Sequence, residues 1–505
     1  MASNVNIEFR KLFINNEWVD SKSGKTFPVI NPSTGESVAD IQEADEADVN
    51  QAVQAAKKAF ERKSTWTQMN ASQRGELLIR LAHLIKDNVS IITELNTIDS
   101  GKPLTASIGE VLQGVSLLTY YAGLADKING QTLLSDGPVF SYTRREPIGV
   151  CGLIVPWNFP ISILCMKIGP ALAAGCTLVI KPAEQTPLAS LFIASLFKKA
   201  EFPAGVVNMV PGYGPTAGAA ISNHMDIAKV SFTGSTEVGK LILKASADSN
   251  LKKVSLELGG KSPNIIFADA DLDYAVEMAH QSIMYHSGQI CCAGSRTYVH
   301  EDIYEEFVKR SVERAKKRVV GDGFDKKSES GPQVDEDSLK KILDLIESGK
   351  KEGAKLHCGG KRMDRSGYFV EPTVFSDVNE NMRIGREEIF GPVQSIFKFK
   401  TIDEVIEKAN NTHYGLAACV FTKDLETSLT VAHAIKAGTI WVNCVNYFSP
   451  QQPFGGYKQS GIGRELLVYN KILRLSLLYS LQIKTCKIIL YCLTYSMKFC
   501  VYEMI

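Results

Sequence analysis

The chain has almost no net charge: 56 Lys and Arg against 55 Asp and Glu leave +1 over 505 residues. That balance supplies no basic field for nucleic acid or anionic lipid. Metal-ligand spacing is missing too. Neither a CxxC pair nor a His-x-x-x-His pair occurs among the 11 cysteines and eight histidines, so no metal is expected. The only close cysteines, Cys291 and Cys292, are adjacent and unsuited to an ordinary structural disulfide. Scattered free thiols imply a reducing compartment. Met1 to Glu8 carries neither an apolar signal core nor an Arg-rich amphipathic transit pattern. No run before the C-terminal tail is long enough to span a bilayer. The cytosol is the default expectation, with no nucleic-acid partner and no specific membrane partner. Internal repeats and low-complexity linkers are absent as well.

What remains is an ordinary globular composition, 45% hydrophobic and 22% charged, in a chain long enough for two or more domains. Phe13 to Val19 reads as a strand with a turn, and helical spacing of apolar residues runs over 45–63 and 72–88. Five short apolar runs follow, at 149–156, 176–182, 206–211, 227–232 and 253–257. Each precedes a turn and a helical stretch, the rhythm of a parallel α/β sheet. A second α/β series follows Gly260, with helices expected around 270–281 and 302–319. Residues 129–147 read as a hairpin set before the main sheet.

Two segments carry the chemistry. In Gly288-Gln289-Ile290-Cys291-Cys292-Ala293-Gly294, a cysteine stands between small residues that leave room for an electrophile. In Leu256-Glu257-Leu258-Gly259-Gly260-Lys261, a glutamate flanked by leucines sits where burial raises its pKa towards neutrality. A thiol nucleophile and a tunable carboxylate base are the parts needed to attack a carbonyl and later hydrolyse a thioester. The residues alone do not separate Cys291 from Cys292. Two glycine-rich segments are candidates for phosphate binding: 212–218, which misses the usual dinucleotide spacing by one residue, and 232–239. The second puts Gly234 and Ser235 between a strand and a helix, where free N–H groups and the positive helix end face a pyrophosphate.

These motifs resemble the signatures of the aldehyde dehydrogenase superfamily, from about Lys11 to Leu466, and within it the cytosolic retinal/acetaldehyde group. The resemblance implies an aldehyde dehydrogenase-like α/β fold of two parallel-sheet α/β domains plus a small β oligomerisation arm. It implies an NAD-binding domain over 9–128 and 148–259, the arm over 129–147 and a catalytic domain over 260–459. It selects Cys291 as nucleophile and Asn158, in Pro156-Trp157-Asn158-Phe159-Pro160, as oxyanion donor. Glu257 is the base, with Lys167 and Glu465 as a proton-relay pair behind it. For the cofactor it implies Val155, Pro156, Trp157, Lys181, Glu184, Pro215, Gly234, Ser235, Val238, Gly239, Leu258, Glu388 and Phe390. Pro215 and Val238 would sandwich the adenine, and Glu388 and Phe390 would hold the nicotinamide ribose and ring. Lys181 and Glu184 would bond the adenosine ribose. A carboxylate there accepts from a 2′-hydroxyl and repels a 2′-phosphate, which favours NAD over NADP.

The implied reaction is oxidation of an aldehyde to a carboxylic acid through a cysteine thiohemiacetal, hydride transfer to NAD and thioester hydrolysis. Phe159, Ile163, Met166, Phe448 and Phe454 would line the substrate passage, an apolar wall suited to retinal or aliphatic aldehydes. Met166 stands where many relatives carry tryptophan. Rival readings are a non-catalytic relative used as a structural or binding protein, and an impaired splice or frameshift variant.

After Leu466 the resemblance stops. Residues 467–505 contain no Gly, Pro or Asp and hold five Lys or Arg against one acid. No strand or helical period persists in them, and the composition is that of translated A/T-rich non-coding sequence. The tail is read as a frameshift, retained intron or gene-model error; the alternative is an isoform whose tail associates with membranes. On this reading the arm has lost its C-terminal strand, the edge stands unpaired, and the homotetramer expected of the family is in question.

Overall fold

The computed structural model describes residues 5–466 and 481–489. All five apolar runs become strands of one sheet. Val150–Ile154, Thr177–Lys181, Val207–Met209, Lys229–Thr233 and Lys253–Glu257 lie mutually parallel. Most of their residues are buried, which is why they read as continuous rather than alternating. Cys151, Leu153, Leu178 and Ile180 face one hydrophobic cluster, shared with the helix Pro160–Ala174. Val150, Ile154, Val179 and Val230 face another, shared with the helix Glu46–Phe60. Leu12–Ile14 and Glu17–Val19 extend one edge antiparallel. Their connection is Asn15-Asn16, both at positive φ (56° and 63°), the turn chemistry an Asn pair suits. Gly461–Ile462 closes the opposite edge, antiparallel to Lys253–Glu257.

The strand order fixes where a ligand sits. From Val150–Ile154 the chain steps outward through Thr177–Lys181 to Val207–Met209, then returns to the other side for Lys229–Thr233 and Lys253–Glu257. The connections after Ile154 and Thr233 therefore leave adjacent strands in opposite directions and open a crevice at the carboxyl ends. A second sheet of seven strands is built from residues 263–442, with Pro263–Ile266 and Arg296–His300 among its central parallel members. The expected second helices span Leu272–Met284 and Tyr304–Lys317.

One expectation differs. The arm expected to lack a C-terminal strand has a third one: Leu481–Ile489 lies antiparallel to Val139–Pro147, with Leu481 opposite Pro147 and Ile489 opposite Val139. Gln131–Leu133 pairs with the same central strand. The segment Leu-Gln-Ile-Lys-Thr-Cys-Lys-Ile-Ile has no period to announce a buried face, but it is free of Gly and Pro and rich in β-branched residues. An exposed edge asks only for backbone donors and acceptors. The remaining tail calls, over 467–480 and 490–505, lie outside the described residues.

Candidate active site

The crevice is a cleft of about 200 Å³, open to solvent, walled among others by Pro156, Trp157, Asn158, Thr233, Gly234, Ser235, Glu257, Leu258, Cys291, Glu388 and Phe390. It thus joins ten residues named from sequence, with Cys291, Glu388 and Phe390 supplied by connecting segments that lead into the second sheet. Gly259, Ser338, Lys341 and Ile389 also line it. Ser338 and Lys341 lie in the first turns of the amphipathic helix Glu336–Lys351, and nothing in the sequence distinguishes them from an ordinary surface.

Glu257 ends its strand, paired with Thr233 on one side and Gly461 on the other. It is buried, one carboxylate oxygen has no hydrogen-bond partner, and its pKa is pushed well up, first by burial and then by Cys291 and Glu465. The two glycines that follow are needed for closeness. A Cβ at Gly259 would stand 2.4 Å from the Glu388 carboxylate, and one at Gly260 would stand 2.4 Å from the Cys291 carbonyl oxygen. The Gly260 amide donates to Glu388 at 2.9 Å.

Cys291 is partly exposed at the cleft, whereas Cys292 is buried with its thiol 3.8 Å from the Asn446 side-chain oxygen. The hydrogen bond to Cys292, and then burial, raise the Cys291 pKa well above the usual thiol range. The preceding segment is strained. His286, Ser287 and Gly288 all have positive φ (47°, 55° and 77°), a cost on the order of 1–3 kcal/mol for each non-glycine. A Cβ at Gly288 would collide with the Gly391 carbonyl at 2.0 Å, so the Cys291 segment lies directly on the Phe390-Gly391 turn. The Asn158 amide donates to the Gln289 carbonyl at 2.9 Å, and its second N–H is available to another acceptor.

Near Glu257, Lys167 and Glu465 form an ion pair of 2.8 Å, with Ser231 hydrogen-bonded to both. Lys181 pairs with Glu184 at 2.9 Å and donates to the Gly212 carbonyl, which ties the first glycine-rich segment to the second strand of the sheet. Burial lowers the Lys181 pKa. The Val155 amide donates to the Lys181 carbonyl, continuing the strand pairing. Ser235 caps the helix Thr236–Asp248, and a Cβ at Gly239 would meet Leu258 at 2.7 Å, so this glycine sets the helix against the base segment. Pro215 and Val238 are exposed.

The five substrate-passage residues are not among the walls of the cleft. They belong instead to one hydrophobic cluster with Ile290, Cys291 and Cys292. Phe448 packs on Phe454 at 5.0 Å and on Trp441 at 5.6 Å, ring to ring. Cys291 therefore both borders the cleft and packs against the hydrophobic core that holds these residues.

The model of the aldehyde dehydrogenase family matches residues 18–474. The chain belongs to the aldehyde dehydrogenase family. It is 64% identical over 465 residues to an aldehyde dehydrogenase of Enchytraeus buchholzi, covering 92% of this chain and 94% of that one. It is 59% identical to retinal dehydrogenase 2 of Homo sapiens, covering 92% and 90%. Among solved structures, the NAD+ complex of an aldehyde dehydrogenase from Bacillus cereus superposes with a TM-score of 0.93. That protein is 49% identical, with 95% of this chain and 96% of that one covered. The expected fold and family agree with these likenesses. Among the described residues no helix is long and apolar enough to cross a membrane.

Proposed function

We propose that this chain oxidises an aldehyde to a carboxylic acid with NAD as electron acceptor. The observation that carries the reading is the meeting of Cys291, Glu257 and Asn158 at one cleft that opens on a sheet switch point.

The residues present fit a dinucleotide. Gly234 and Ser235 offer a helix N-terminus to a pyrophosphate. Lys181 and Glu184 suit a ribose, and Gly259 leaves Glu388 room to reach a second one. When bound, NAD supplies the two-electron acceptor. The chain's own work is then nucleophilic and acid–base. Cys291, once deprotonated, adds to the aldehyde carbon, and the free Asn158 N–H with the Cys291 backbone N–H stabilises the oxyanion. After oxidation the acyl group is a thioester on Cys291. Glu257 in its ionised form takes a proton from water for attack on that thioester, with Lys167 and Glu465 as the relay behind it. The thiol is restored and the acid leaves.

Phe159, Ile163, Met166, Phe448 and Phe454 pack in the same apolar core as Cys291, which supports an apolar substrate, retinal or an aliphatic aldehyde, and the relative named retinal dehydrogenase 2 points the same way. Residues 9–128 with 148–259 form the NAD-binding domain in this reading, and 260–459 the catalytic domain. Assembly runs through the arm, where Leu134 and Phe140 are exposed.

The test is NADH formation by purified full-length protein with acetaldehyde and with retinal, alongside size-exclusion light scattering. Turnover from a discrete oligomer is expected. A well-folded oligomer with no turnover on either aldehyde would overturn the reading. No turnover from a monomer or aggregate would place the fault in the tail, as expected of an impaired variant.

A further inference from the structure

A buried ion pair lies outside the cleft and outside every motif read from sequence. Lys102 is 0% exposed and Glu110 4% exposed. Their side chains are in direct contact. One Glu110 oxygen also accepts from the Asn96 amide at 3.1 Å. The other accepts from the backbone N–H groups of Ile161 and Ser162, at 2.8 and 3.2 Å. Those two groups open the helix Pro160–Ala174, whose N-cap Phe159 provides no side-chain cap. Glu110 is therefore the cap, delivered from another helix. The Lys102 ammonium donates to the Asn158 carbonyl at 2.9 Å and stands 4.2 Å from the Phe159 ring centroid. His286 packs edge-on against the same ring at 5.4 Å.

We propose that Lys102 and Glu110 are positioning residues that hold the Asn158-Phe159 turn, and with it the oxyanion-donating amide, in its working orientation. The proposal rests on the oxyanion reading of Asn158. Burying a charge pair is not an economical way to gain stability, because apolar residues of similar volume often do as well or better. What an apolar pair cannot do is fix the Asn158 carbonyl and two helix N–H groups at once. Lys102 sets the peptide on one side of the amide, and Glu110 sets the helix start on the other.

The test compares Lys102→Met and the charge-neutral Lys102→Met/Glu110→Gln double variant with the parent, each also in an Asn158→Ala background. A displacement of about 1 Å near reacting atoms costs up to about 10²-fold. In Lys102→Met, kcat is expected to fall about 10- to 100-fold with KM within about threefold. Little further loss is expected in the Asn158→Ala background. Hydrogen exchange of the amides of residues 158, 159 and 161–163, read without cofactor or substrate, should quicken in both variants. Should Lys102→Met fail to fold, the double variant carries the same readouts. A folded variant with parental kcat and parental exchange would overturn the proposal. So would a loss of equal size in both backgrounds with unchanged exchange. Asn158→Ala with nearly parental turnover would sink the oxyanion role alone, and exchange in the Lys102 variant would still decide whether the pair holds the turn.

Discussion

Lys167 and Glu465 lie 298 positions apart in sequence, yet meet at 2.8 Å in the interior. Burial would raise the Glu465 pKa, but Lys167 and then Lys229, with the Ser231 hydroxyl, outweigh it and hold the carboxyl below its ordinary range. A depressed carboxyl contributes stability above its unfolded pKa and loses it as pH falls through the folded one. The pair should thus stabilise at neutral pH and fail in acid. Lys167→Met is expected to cost about 3–5 kcal/mol, because it strands a buried charge. The urea midpoint at pH 7 measures it, and the deficit should shrink in acid.

Glu257 has the opposite sign. Its raised pKa, due first to burial, means that its stabilising contribution is fully present below the ordinary carboxyl pKa and is lost as pH rises through the folded one. The base role proposed for it needs the ionised form, and so begins where that contribution ends. Thioester hydrolysis should therefore climb with pH through an apparent pKa well above the usual carboxylate range. Glu257→Gln should abolish that limb and slow hydrolysis by about 10²–10⁴-fold. Single-turnover acid release measured across pH checks both.

Cys291 and Cys292 separate by exposure. Cys291→Ala should remove turnover, and Cys292→Ala should keep it within about threefold, since a buried thiol in a closed cluster does no chemistry. Alkylation by iodoacetamide should follow the same order. Inactivation of the Cys292 variant alone would reverse the assignment.

Gly260→Ala should damage catalysis without unfolding the chain. The new methyl would stand 2.4 Å from the Cys291 carbonyl oxygen, a backbone atom that can yield only by moving the nucleophile. A fall in kcat on the order of 10²-fold is expected, with an unchanged circular dichroism spectrum. Parental kcat would contradict the packing.

Glu184→Gln should narrow the preference for NAD over NADP. Its carboxylate, paired to Lys181 at 2.9 Å, is the negative charge that a 2′-phosphate would meet. Comparing kcat/KM for the two cofactors in parent and variant gives the answer. An unchanged ratio would assign the preference to another group.

The five parallel strands were legible because buried strands leave unbroken apolar runs, and the Asn15-Asn16 turn because two left-handed residues in a row call for that chemistry. The Cys291 segment was legible from the small residues around the thiol and the Glu257 segment from the leucines that bury the carboxyl, while the choice of Cys291 over Cys292 came from the family resemblance. Lys102 and Glu110 were not. Along the chain they are two ordinary charges around a helix start, and only the fold turns them towards Asn158. Ser338 and Lys341 were missed for the same reason, since one face of an amphipathic helix looks alike whether it borders water or a cleft. The strand Leu481–Ile489 escaped because edge pairing is read by the backbone and leaves no side-chain period.

Gly461 and Ile462 pair with Glu257 and Leu256, and among the described residues they are the last along the chain to join that eight-stranded sheet. During synthesis Glu257 and Cys291 are both made long before the strand that pairs with Glu257. A growing chain therefore cannot finish the surroundings of Glu257 until Gly461 and Ile462 have left the ribosome.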